Sequence, residues 1–153
     1  MNRMNIRELR KNESIPMQLL LLADPSSSIV EDYLVRGKCF VAEIENEIVG
    51  EYVLLPTKSE TIELVNVAVS RNRQGKGIGK KLVQDAVEQA VQRGYKIIEV
   101  GTGNSSLDQL ALYQKCGFRI TGVDSEFLIR HYPEEIFENG IQCRDMVRLT
   151  QHL

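Results

Sequence analysis

The sequence predicts a mixed α/β domain in which a strand meander feeds a strand-helix-strand unit. Three observations predict it. The apolar segments Cys39–Ile44 and Ile48–Leu55 flank the polar Glu45-Asn46-Glu47 and read as a hairpin, with Thr61–Val69 as a third strand. Ile78, Leu82, Val83, Ala86, Val87, Ala90 and Val91 then recur at helical spacing, while Lys80, Lys81, Gln84, Asp85, Glu88 and Gln89 fall largely outside that stripe. After the stop at Gly94, the β-branched run Lys96–Val100 reads as a strand, and a passage of this length implies a parallel, right-handed crossover.

The remaining elements follow from local signals. Met4–Leu9 reads as a short first strand. Ile15–Ala23 reads as a helix, with Ser14 as its cap and Pro16 tolerated in the first turn. Asp24-Pro25 ends it, and Ser26–Ser28 cap a second helix that runs through Arg36 to Gly37. These two helices are expected to flank an acceptor site. Pro56–Glu60 reads as a turn. In the strand after it, Glu63, Val65, Val67 and Val69 share one face and Leu64, Asn66 and Ala68 the other. Gly101–Ser106 reads as a polar loop whose serines cap a helix over Leu107–Cys116, closed by Gly117. Phe118–Val123 and Phe127–Ile129 read as pieces of one strand, Pro133–Glu138 as a single helical turn, Asn139-Gly140 as a turn and Ile141–Leu149 as the last strand.

A chain of 153 residues, 42% hydrophobic and 26% charged, suits one domain over residues 1–153 that buries roughly two-thirds of its unfolded surface. No apolar run approaches the roughly 20 residues of a bilayer span, and Met1–Lys11 lacks the apolar segment of a signal peptide, so a cytoplasmic, membrane-free protein is expected. Cys39, Cys116 and Cys143 show no C-x-x-C spacing; they read as reduced core thiols, with neither a disulfide framework nor a metal site. The net charge of −2 argues against nucleic acid as a partner. Its distribution is uneven. Arg71, Arg73, Lys76, Lys80 and Lys81 crowd one turn that contains no acid, leaving −7 for the rest of the chain. An anionic cofactor on that turn is implied, beside a surface suited to a cationic acceptor.

Gln74-Gly75-Lys76-Gly77-Ile78-Gly79 sits between the third strand and the amphipathic helix. It is not a Walker A loop, because only three residues separate Gly75 from Gly79 and no Ser or Thr follows Lys80. Nor is it G-x-G-x-x-G, since Lys80 stands where the third glycine belongs. Glycines here let backbone N–H groups approach an anion at a helix start, a geometry that holds phosphate. The alternative is a solvated basic turn.

Val67-Ala68-Val69, Gln74-x-x-Gly77-x-Gly79, Asn104 and Ala111-x-Tyr113-x-x-Cys116-Gly117-Phe118 together resemble the GNAT superfamily of N-acetyltransferases. The likeness is strongest over residues 41–118 and points to small, single-domain bacterial members. It implies a central twisted, mostly antiparallel sheet with one splayed parallel pair, flanked by about four helices. It also implies acetyl-CoA as co-substrate, with pantetheine inserted beside Val67, Ala68 and Val69. In that reading the turn Gln74, Gly75, Lys76, Gly77, Ile78, Gly79 and Lys80 holds the pyrophosphate, Asn104 bonds the pantetheine arm, and Arg71, Arg73 or Lys76 meets the 3′-phosphate. The resemblance gives Tyr113 the role of general acid toward the departing thiolate. Glu63, six residues before Val69, matches the base position of histone-type members, though many relatives use a water chain instead.

The acceptor is expected to be the primary amine of a small molecule, attacking directly in a ternary complex. A protein N-terminus or lysine is the alternative acceptor, and a non-catalytic acyl-CoA sensor is the alternative class. Cys116 has no sequence-visible His and Asp partners for a covalent route. His131 and Tyr132 are candidate acceptor contacts. Asp124, Glu126, Glu134 and Glu135 form either an attractor for a polyamine-like cation or a solvated acidic face. A homodimer or higher homo-oligomer is a further implication of the family, with the apolar last strand as an edge for pairing.

Overall fold

A computed structural model describes residues 3–153; the expected domain also takes in Met1 and Asn2, which lie outside the described residues. The elements run β1 (Met4–Glu8), α1 (Met17–Ala23), α2 (Ser27–Arg36), β2 (Lys38–Ile44), β3 (Glu47–Lys58), β4 (Thr61–Val69), α3 (Ile78–Gln92), β5 (Ile97–Gly103), α4 (Leu107–Lys115), β6 (Arg119–Asp124), α5 (Phe127–His131), β7 (Phe137–Glu138), β8 (Ile141–Gln142) and β9 (Met146–His152). Seven strands form one sheet in the order β1-β2-β3-β4-β5-β9-β6, and β7-β8 is a separate hairpin. Every pair in the large sheet is antiparallel except β4–β5, the predicted parallel crossover.

The sheet is buried on both faces. On one, α3 sets Ile78, Leu82, Val83, Ala86 and Ala90 against Tyr52, Leu54, Leu64 and Ile98, and α4 adds Tyr113. Periodicity in α3 is thus the pattern of its buried stripe, except at Val91, which is exposed where the stripe expected it covered. Tyr52 stacks on Phe40 with ring centres 4.7 Å apart and donates its hydroxyl to Asp85 Oδ2 at 2.6 Å, so its polar tip stays satisfied inside the core. On the opposite face, Leu20 of α1 and Val30 and Tyr33 of α2 cover Val41, Val53 and Leu55.

One irregularity decides where the site residues point. Between β3 and β4, Val53 faces Asn66 but Leu54 faces Leu64, so Val65 is a bulged extra residue. Glu63 therefore lies with Leu55 on the α1–α2 face, whereas Val67 lies with Tyr52 on the α3 face. The expected shared face of Glu63, Val65, Val67 and Val69 is corrected accordingly: the bulge leaves the sequence alternation intact while reversing the side to which it points.

Other boundaries also shift. Ser14 does not cap α1, whose N-cap is Pro16. The expected turn at Pro56–Glu60 shrinks, because β3 continues through Pro56 to Lys58. Gly101–Gly103 belongs to β5 rather than to a loop, paired with Arg148, Val147 and Met146 of β9. Ser106 is the N-cap of α4 without a side-chain cap bond; its hydroxyl donates to Glu138 Oε1 instead. Phe127–His131 is the short helix α5, not a strand piece, and makes five α-helices among the described residues where about four were expected. Pro133–Glu138 forms no helical turn, and Ile141–Leu149 divides into β8 and the start of β9. Ser26 does cap α2, its hydroxyl accepting from Ile29 N–H at 3.4 Å. The Asn139-Gly140 turn is present, with φ of 55° and 74°.

Candidate active site

β4 and β5 pair only from Thr61↔Ile97 to Leu64↔Val100. Beyond that point β4 runs on to Val69 beside β3, and β5 runs on to Gly103 beside β9, so the two strands part. A cavity of about 700 Å³ occupies the parting. Its walls are β4 from Leu64 to Val69, β5 from Gly101 to Gly103, the turn before α3, the inner side of α4, and the α1–α2 connection. Val67 and Val69 bring it to the α3 face, and Asn66 and Ala68 to the α1–α2 face, so it passes through the sheet.

Eight of the predicted cofactor residues form one end. Val67, Ala68, Val69, Gln74, Gly77 and Gly79 line the cavity, as do Gly75 and Ile78, whereas Lys76 and Lys80 do not. Gln74 folds its amide back to donate to Val69 O at 3.0 Å, which clamps the turn onto the end of β4. Gly77 is the N-cap of α3 with φ of 83°, a conformation that glycine adopts without the cost a Cβ brings. The first intrahelical donor is Lys81 N–H, to Gly77 O at 3.2 Å; N–H groups ahead of it have no helical acceptor and face the turn. Arg73 is the single lysine or arginine among the described lining residues, and its guanidinium stands 4.0 Å from Glu47.

Tyr113 lies on the inner face of α4, 4% exposed, edge-on to Phe118 at 5.9 Å, and lines the cavity. Burial, reinforced by Glu51 and Cys116, pushes its hydroxyl well above the ordinary phenol range, so it holds its proton at neutral pH. Glu63 stands off the lining and 3.6 Å from Arg148. Burial raises its proton affinity against the pull of Arg148, and Glu99 adds to the rise. Asn104 also stands off the lining. Its Oδ1 accepts from Arg144 N–H at 2.8 Å and Asp145 N–H at 2.9 Å, and its Nδ2 donates to Gln142 O at 3.1 Å. Asn104 thus stitches the β5–α4 loop to the segment before β9. Cys116 is half-buried with its thiol raised by burial against the pull of Lys80, so the side chain is not activated.

The acetyltransferase (GNAT) family model matches residues 6–118. This chain belongs to the GNAT family. The uncharacterized N-acetyltransferase YvbK of Bacillus subtilis (strain 168) is 56% identical over 152 residues, 95% of this chain and 97% of YvbK. The crystal structure of a GNAT family acetyltransferase from Elizabethkingia anophelis with acetyl-CoA bound superposes with a TM-score of 0.96 at 47% identity, covering 98% of each chain. A Bacillus subtilis acetyltransferase in complex with CoA gives 0.94 at 54% identity, covering 99% of each.

In this GNAT chain the other end of the cavity is built from segments distant in sequence. Leu21–Pro25 form one wall, and Leu128, Tyr132, Ile136, Glu138, Cys143 and Met146 another. Tyr132 O–H donates to Asp24 Oδ1 at 2.8 Å and links the two. Of the candidate acceptor contacts, Tyr132 reaches the cavity while His131 packs on Phe127 with ring centres 4.3 Å apart. Asp124 and Glu126 are engaged by Arg130 and Arg144, and Glu134 and Glu135 are exposed. Sequence reading passed over Asp24, Asn66 and Glu138. For Asn66 a signal existed: it is the one polar residue within Leu64–Val69. Among the described residues no helix is long and apolar enough to cross a membrane.

Proposed function

We propose that this chain transfers acetyl from acetyl-CoA to the primary amine of a small molecule, by direct attack in a ternary complex. The observation that carries the reading is one cavity joining the glycine turn, the parting of β4 and β5, and Tyr113. The residues present fit the cofactor. The open turn at Gly75 and Gly77, where a Cβ would meet nothing within 4 Å, leaves room for a pyrophosphate. The amides from Gly75 to Lys80 converge on it with the positive end of α3. Arg73, placed on the lining, is assigned the cofactor's remaining negative charge in preference to Arg71 or Lys76. Val67 and Val69 offer backbone groups on the unpaired side of β4, Val69 by its N–H because its carbonyl already accepts from Gln74. Asn104 serves by holding the β5–α4 loop, since its oxygen and one amide hydrogen are already used.

Acetyl-CoA supplies the thioester carbonyl that the amine attacks. A β4 main-chain N–H stabilises the oxyanion, worth a few kcal/mol at comparable sites. Tyr113 gives its proton to sulfur as the C–S bond breaks and the C–N bond forms. Glu63, with its raised proton affinity, takes the amine's proton by way of solvent. The Tyr132–Asp24 link, which ties the α1–α2 connection to the chain after α5 at the cavity wall, supports a small amine over an extended peptide. Thiol release from acetyl-CoA across a panel of alkylamines, phenylalkylamines and lysine peptides tests the reading. Turnover with small amines is expected. CoA binding without turnover would make the chain a sensor, and turnover with peptides alone would move the acceptor to protein.

A further inference from the structure

The large sheet ends in β1 on one side and β6 on the other. The apolar last strand, expected as an edge for pairing, is β9 and lies inside, between β5 and β6. The two true edges differ. On β1, Met4 and Ile6 pack against the core, and Arg7 and Glu8 are held in ion pairs with Glu13, Glu43, Lys38 and Arg93, charge of the kind that blunts an edge. On β6, Ile120 is 52% and Val123 58% exposed. Among the described residues β6 pairs with β9 alone, and residues 119–124 make no main-chain hydrogen bond outside that ladder, so the outer row of N–H and C=O groups is open.

A bulge shapes this edge. Ile120 faces Leu149 and Val123 faces Val147, with Thr121 as the extra residue between them. Residues three apart on a regular strand point to opposite faces, but here Ile120 and Val123 share the face of Leu149 and Val147, the side covered by α3 and α4. Arg119 and Asp124 face Thr150 and Met146, on the other side. From Arg119 to Asp124 the strand therefore reads cation, apolar, threonine, glycine, apolar, anion, a string that complements itself when turned end for end. Antiparallel pairing about a two-fold axis between Thr121 and Gly122 sets Arg119 opposite Asp124 and Ile120 opposite Val123, each twice. Parallel pairing would set like charges opposite each other, which is unfavourable. Asp124 holds Arg130 through Oδ1 at 2.9 Å, leaving Oδ2 for a second cation. A Cβ on Gly122 would meet nothing within 4 Å, so the centre of the pair has room for the bulged Thr121.

We propose that β6 is a homodimer edge: two copies of this chain join antiparallel along Arg119–Asp124 and continue the sheet across a two-fold axis, with Ile120 and Val123 of both copies closing into one apolar cluster. The pairing is independent of the transfer reading.

Sedimentation velocity of the full chain, from about 1 to about 100 µM, tests it. The parent should sediment as a dimer; a monomer throughout overturns the proposal. Val123→Lys puts a charge into the apolar cluster and should raise the dissociation constant about tenfold or more, whereas Val35→Lys, at an 84% exposed apolar position on α2, should leave it unchanged. A dimer that tolerates Val123→Lys, or is weakened equally by both substitutions, uses another surface and overturns the proposal. Charge tests the register. Arg119→Glu and Asp124→Arg each set like charges opposite one another in a homodimer and should weaken it, yet a mixture of the two variants has opposite charges at both ends and should regain the parent's association. A mixture no tighter than either variant alone overturns the proposal.

Discussion

A buried phenol keeps its proton, so in the proposed reaction Tyr113 acts as a donor rather than a base. Replacing it by Phe leaves the packing against Phe118 and removes the proton; kcat should fall about 10²–10⁴-fold with the acetyl-CoA KM little changed, as measured by thiol release. Glu63→Gln separates the two fates of the amine's proton: a carboxylate base predicts loss of the acidic limb of the kcat/KM profile, whereas an unchanged profile would return that task to water. Glu51 makes a prediction about stability. Burial raises its proton affinity well above the ordinary carboxylate range, so the folded state holds it neutral. The stabilisation this gives is complete below the unfolded pKa near 4.5 and is lost as pH rises toward the folded value. Glu51→Gln cannot titrate, so the gap in Tm between variant and parent should widen in the variant's favour from about pH 5 to pH 8. Tyr33 and Cys39 lie near this carboxyl, but burial holds both neutral across that window, the Cys39 thiol being pushed up to about 12.

Among the elements, β4, the turn and α3 were the most legible, because each is specified locally: a β-branched run, glycines at a positive-φ helix start and a 3.6-residue stripe. Residues 78–92 were predicted and observed as the helix. The bulge at Val65 was not legible, since inserting one residue disturbs register with the partner strand and nothing in the strand's own alternation. That hid the separation of Glu63 from Val67. Phe127–His131 failed for another reason: five residues with three apolar side chains suit either state, and backbone context chooses between them. The hairpin β7–β8 is held from afar, by Asn139 Nδ2 to Ser105 O at 2.8 Å and by Ser105 and Ser106 to Glu138, and such long-range stitches leave no local mark. Asn104→Ala should expose this dependence. Loss of its three hydrogen bonds should lower Tm by several degrees and speed amide exchange across residues 137–146, with CoA affinity falling as a consequence.

For the whole molecule, the proposed reaction would bring its two substrates together in a cavity that passes through the sheet. The cofactor side comes from one continuous stretch, residues 67–80, and its site could be read as a motif. The proposed acceptor side draws on α1, the α1–α2 connection, β4 and the chain after α5, so its chemistry emerges only when the fold is assembled. Leu82, fully buried between α3 and the sheet, holds the cofactor layer in place; Leu82→Ala should cost about 2–5 kcal/mol in denaturant unfolding. Because the turn's cations act partly through solvent, the acetyl-CoA KM should also rise with ionic strength more steeply than the amine KM.

The short pairing of β4 with β5 carries one more consequence. Every second residue from Val65 to Val69 turns its peptide group away from β3 toward a neighbour that has departed, so the sheet contains a half-finished rung sequence. A bound pantetheine arm would complete it as a surrogate strand. Occupancy should then be written in the deuterium uptake of those few amides, fast in the free protein and slow in the complex, giving a cofactor clock that runs without any acceptor in the tube.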